Sequence, residues 1–131
     1  MPHPRMFDED DPALARLREI ALALPDAAEK ISHGHPAFFT TKVFAYFGGA
    51  EKTADGHVRR PAALIVLADD LERPALLEDE RFFVPMYLGP SGWVGLDLGE
   101  DTDWAEVAEL VDASYRLTAG VRRVRLLDGG E

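Results

Sequence analysis

Arg81-Phe82-Phe83-Val84-Pro85-Met86-Tyr87-Leu88-Gly89-Pro90-Ser91-Gly92-Trp93-Val94-Gly95-Leu96 is the stretch whose reading decides the fold. Aromatic and β-branched residues stand on both sides of Gly89-Pro90-Ser91-Gly92, a composition that strands and a tight turn share. Strands are expected near Phe83, at Met86 to Leu88 and at Trp93 to Leu98, with the turn projecting as a wing. Period-two alternation sends Val94 and Leu96 to one face and Trp93 and Gly95 to the other. The aliphatic side is the core, which leaves Trp93 half covered.

Upstream, Asp69-Asp70 caps a short helix through Leu76 and Leu77, with Pro74 in its first turn. Ala62 to Leu67 is a short apolar run typical of a buried strand, and Val43-Phe44-Ala45-Tyr46-Phe47 is a second. Residues 48 to 61, containing Gly56, form a long connection that would project as another wing. A further strand is expected around Glu29 to Gly34. Asp11 as N-cap and Pro12 at the first helical position open a helix that puts Leu14, Leu17, Ala21 and Leu24 on one face and ends at Pro25. Downstream, Asp103 and Glu106 form a capping-box-like pair, and Trp104, Val107, Ala108, Val111, Tyr115 and Thr118 recur at helical spacing. The order is helix, three strands, helix, three strands, helix: an α+β domain with an antiparallel sheet and helices packed on it.

A chain of 131 residues with 47% hydrophobic content builds one ordinary core. One domain over residues 1–131 is expected, with its core at about 12–118 and flexible ends at 1–10 and 127–131. Cysteine is absent, which excludes disulfides, thiolate metal sites and cysteine nucleophiles. No apolar run approaches the roughly 20 residues of a membrane span, and no apolar signal core follows His3 and Arg5. A cytoplasmic chain without membrane contact is the expectation, with a monomer favoured. The net charge of −10 disfavours nucleic acid, whose binding draws on Lys and Arg displacing phosphate counterions.

Gly34-His35-Pro36-Ala37-Phe38, Lys42-Val43-Phe44-Ala45, Arg81-Phe82-Phe83-Val84-Pro85, Gly92-Trp93-Val94 and Leu110-Val111-Asp112-Ala113-Ser114-Tyr115-Arg116 occur in this order, and together they resemble the MmcQ/YjbR family over about residues 12 to 118. The resemblance implies a single-domain double-wing fold and a DNA-binding label that rests on fold analogy, which does not fix function. Many relatives place a lysine and a histidine shortly before the tryptophan. This chain has Pro90-Ser91-Gly92 there, an uncharged tip.

Two candidate sites follow. For nucleic acid, Lys42, Lys52, Arg59, Arg60 and Arg81 would supply cations from the sheet and first wing, and Arg122 and Arg123 from a C-terminal stretch. For a small molecule, such as a drug or metabolite, His33, His35, Tyr87 and Trp93 would line an aromatic pocket. His33 and His35, two apart on an expected strand, share a face and suit a metal, but two ligands are too few and Pro36 follows them. No metal or cofactor is expected. Ser32 adjoins His33 in sequence, which usually prevents nucleophile and base geometry, and no nucleophile or phosphate-loop motif occurs. A non-enzymatic binding module is the expectation.

Overall fold

Asp11 and Pro12 open the first helix as their chemistry requires. The Asp11 carboxylate accepts the Ala13 N–H at 2.9 Å, and Pro12 sits where no intrahelical donor is needed. The computed structural model describes residues 6–129; the outermost parts of the two expected flexible ends lie outside them. Helix α1 (Pro12–Leu22) leads to strands β1 (Ala28–Ser32), β2 (His35–Phe39), β3 (Val43–Thr53) and β4 (Gly56–Leu67). Helix α2 (Arg73–Glu78), β5 (Phe82–Phe83), a 3-10 turn (Gly89–Ser91) and β6 (Trp93–Asp97) follow, then helices α3 (Trp104–Thr118) and α4 (Val121–Leu127). The strands form one antiparallel sheet in the order β1-β2-β3-β4-β6-β5. The domain is α+β. No helix among the described residues is long and apolar enough to cross a membrane.

Period-two alternation divides the sheet into two faces. Ala45, Phe47, Leu64, Val66, Val94 and Leu96 point to the face under the helices, where they meet Leu14 and Leu17 of α1 and Val107, Val111 and Tyr115 of α3. Burying each large side chain here contributes roughly 1.5–3 kcal/mol. Tyr46, Ile65, Trp93 and Gly95 point to the opposite, helix-free face, as the alternation in β6 requires for Trp93. Trp93 is half-buried, its ring packed on Tyr46 at 5.5 Å. Gly95 lies beneath the Phe83 ring, so closely that a Cβ there would stand 2.2 Å from Phe83 Cζ.

Four strands precede α2 and two follow it, against three and three expected. The segment read as one strand at 29–34 is a hairpin, because His33 and Gly34 both take positive φ, 51° and 86°, as a two-residue primed turn demands. Pro36 therefore stands inside a strand. Ser32 and His35 close the turn as the hydrogen-bonded pair, so the next pair, Ile31 with Pro36, needs no N–H from Pro36 toward β1. Pro36 also lies outside the stretch of β2 that pairs with β3, Ala37 to Phe39, so no ladder bond is lost.

Residues 48–61, read as a long connection, are mostly strand: β3 and β4 continue as a hairpin to a turn between Thr53 and Gly56. Their bend comes from a bulge at Gly48, whose φ of 85° suits glycine and where a Cβ would stand 2.8 Å from both His35 Nδ1 and the Pro61 carbonyl oxygen. Residues 86–88, expected as a strand, instead form turns around Tyr87, whose φ is 66°. Their hydrogen bonds go sideways. The Lys52 N–H donates to the Val84 carbonyl at 2.9 Å, and the Met86 N–H to the Ala50 carbonyl at 2.8 Å. The segment after β5 thus reaches the free edge of the bent hairpin and roofs the helix-free face.

In α3 the Asp103 carboxylate accepts from the N–H groups of Ala105 and Glu106. Glu106 does not reach back as a capping box would; it binds Arg81 instead. Trp104 is half-buried rather than a core anchor, with the Arg16 guanidinium over its ring at 5.2 Å. Helix α4 was not foreseen. Gly120 starts it with a φ of 90°, and Arg122 and Arg123 tether it to Asp26.

Candidate functional site

The bend at Gly48 and residues 86–88 of the roof border an open cavity of about 580 Å³ on the helix-free face, with Tyr87 largely exposed at its mouth. Tyr46 and Ile65 form its floor, and Met86, Tyr87 and Leu88 its roof. His33 and His35 come from the β1–β2 hairpin, and Ala50, His57 and Arg59 from the long hairpin. On that hairpin Ala50 pairs with Arg59 and Lys52 with His57, so alternation puts all four on one face. The other face of the hairpin carries Glu51 and Arg60, joined in an ion pair, and Arg60 also reaches Asp97 at the end of β6.

Of the residues expected to line a ligand pocket, His33, His35 and Tyr87 do so. Trp93 stands beside the floor, packed on Tyr46, and does not line the cavity. Arg59, expected among the nucleic-acid contacts, opens into the same cavity and has no carboxylate partner among the described residues. Tyr46, Ala50, His57, Ile65 and Met86 were not among the expected site residues. The available signal was the His57-Val58-Arg59 alternation, legible only once 56–60 is known to be a strand.

The remaining cations are mostly engaged. Arg60 binds Glu51 and Asp97; Arg81 binds Asp79 and Glu106; Arg122 and Arg123 both bind Asp26. Lys42 and Lys52 are exposed. Arg60 and Arg81 border a second groove that seven carboxylates line, from Glu51 to Glu106. The contrast with the first cavity is sharp, since among the described residues no Asp or Glu lines that one.

His33, His35 and His57 share the cavity, yet among the described residues no three His, Asp or Glu side chains converge to hold a metal ion. Ser32 Oγ lies 3.2 Å from His33 Nδ1. His35 Nδ1 is buried and makes no hydrogen bond of proper geometry. Burial, the largest influence, holds the His35 imidazole below the usual histidine range, with Arg59 and His33 pushing the same way and the Phe47 backbone opposing. Burial likewise pushes the Tyr46 hydroxyl up. Both rings are therefore neutral at pH 7.

A depressed histidine has a defined effect on folding. The unfolded chain takes up the proton first as pH falls below about 6.5, so stability is full above that pH and declines below it. His35→Asn should remove this part of the pH dependence, seen in urea midpoints between about pH 7 and 5. Asp26, Asp79 and Asp128, held low by their arginine partners, act in a separate window below 3.8. A slope between pH 7 and 5 that is identical in the variant would contradict the assignment.

The family model described as YjbR matches residues 22–117. The chain belongs to the YjbR family. A solved structure of the Deinococcus radiodurans protein DR2400, described as domain DUF419, is similar in fold: TM-score 0.63 at 19% identity, covering 90% of this chain and 88% of that one. No curated protein matches. At this identity the likeness speaks for the fold alone, and the cavity has to be read from the YjbR-family chain's own residues.

Proposed function

We propose that this YjbR-family chain is a binding protein for a small, largely apolar molecule held between the long hairpin and the 84–88 roof. The carrying observation is the cavity itself: about 580 Å³, walled by Tyr46, Ile65, Met86, Tyr87 and Leu88, with a few polar groups at its rim. Ligand sites are typically about 300–1,000 Å³ and lined this way. Nucleic acid is the weaker reading. Arg60, Arg81, Arg122 and Arg123 would each have to exchange a carboxylate for a phosphate, and the net charge of −10 opposes the approach of a polyanion.

The test uses N-phenylnaphthylamine, an uncharged apolar dye. Its fluorescence should rise saturably, with a Kd of about 10–100 µM for a molecule of this size. Ala50→Trp, which fills the cavity, should weaken binding at least about tenfold, and Ala50→Leu by less. Both variants are compared by melting temperature to verify folding. Dye binding that ignores both substitutions would sink the reading. So would nanomolar duplex DNA binding that survives about 0.2 M salt, since non-specific contacts give only about 10⁻⁴–10⁻⁶ M.

A further inference from the structure

We infer that the occupant of this cavity is a flat aromatic molecule carrying one negatively charged group, with Arg59 as the anchor for that group; this rests on the small-molecule reading above. The chain has 24 Asp and Glu against 14 Lys and Arg, yet among the described residues no carboxylate lines the cavity while Arg59 does. Elsewhere the acidic excess captures arginines: Arg18, Arg60, Arg73, Arg81, Arg116 and Arg123 each sit in an ion pair. Arg59 has no such partner among the described residues, although Glu51 and Asp97 pair with its neighbour Arg60. Alternation is the cause, because it points Arg59 to the cavity face and Arg60 to the acidic one.

The rest of the wall suits a ring. Tyr46, Tyr87, His35 and His57 offer π surfaces, and the imidazole of His35 is neutral. The hairpin carrying Arg59 cannot swing away freely. Its free edge is held to the roof by the Lys52 to Val84 and Met86 to Ala50 hydrogen bonds, which fix the backbone from which the exposed Arg59 side chain borders the cavity. A guanidinium in this setting recognises a carboxylate or sulfonate through paired N–H donors.

A matched pair of probes isolates the charge: anilinonaphthalenesulfonate and N-phenylnaphthylamine share one ring system and differ in the sulfonate. The sulfonate is expected to bind about tenfold more tightly, the worth of one charge-assisted hydrogen-bonded contact. In Arg59→Gln the ratio of the two affinities should fall to about one, in Arg59→Lys it should be partly kept, and in the net-charge control Lys42→Gln it should stay as in the parent. Equal or tighter binding of the neutral probe in the parent protein would overturn the anion assignment while leaving the cavity reading intact. A ratio unmoved by Arg59→Gln would overturn the role of Arg59. Displacement of the sulfonate by a single-stranded oligonucleotide at about 0.15 M salt would overturn the free small-molecule assignment in favour of nucleic acid. Absence of saturable binding by either probe would instead strike the cavity reading itself.

Discussion

Tyr115→Ala is expected to destabilise the domain by about 3–5 kcal/mol, a large share of the 5–15 kcal/mol typical of a domain. Tyr115 is fully buried where α3 meets the sheet, its ring edge-on to Phe44 at 5.3 Å. Its hydroxyl donates to the Pro25 carbonyl at 2.7 Å and so ties α3 to the segment that follows α1. Truncation removes the ring volume and leaves that carbonyl without its partner. Tyr115→Phe separates the two effects, since it keeps the ring and should cost only about 0.5–1.5 kcal/mol. Urea denaturation of both variants decides it. A loss below about 1 kcal/mol for Tyr115→Ala would show that the ring is not packed as described.

Ser114→Ala should cost about 2–4 kcal/mol, a large effect for the loss of one oxygen. Ser114 is the one buried polar side chain in the described core. Its hydroxyl donates to the Phe44 carbonyl at 2.6 Å and accepts the Leu67 N–H at 3.0 Å, bridging β3 and β4 from above. Alanine leaves a buried donor and a buried acceptor unpaired, at about 1–3 kcal/mol each. Ser114→Thr keeps the hydroxyl and should be milder. A denaturation midpoint for Ser114→Ala equal to the parent's would mean that water or backbone shifts satisfy both groups.

Nothing in the sequence marked Ser114. It sits at helical spacing with Val107, Val111 and Tyr115, and a serine there reads as tolerated rather than required. Its function comes from backbone groups about 50 and 70 positions away, which only packing brings to it. The ion pairs have the same character. The run from Arg116 to Arg125 contains no acid, yet Arg116 pairs with Asp112 and Asp128, and Arg122 and Arg123 with the distant Asp26.

Local chemistry was legible wherever the cause of structure is local. Asp11-Pro12 and Asp103 began their helices, Pro74 kept to the first turn of α2, and the Val94 and Leu96 face became core while Trp93 stayed at its edge. The five segments 34–38, 42–45, 81–85, 92–94 and 110–116, taken together and in order, were enough to place the chain among YjbR proteins. What tertiary structure alone decided was the cavity. His33, His35 and Tyr87 were visible in the sequence as members of one pocket hypothesis, and Arg59 as a member of another, the nucleic-acid one. They converge because a bulge at Gly48 bends the long hairpin and because the 84–86 backbone bonds to its edge rather than extending as a strand. Both events depend on the geometry of partners far apart along the chain. Residue spacing encodes which face a side chain takes; it does not encode which other segment will close over that face.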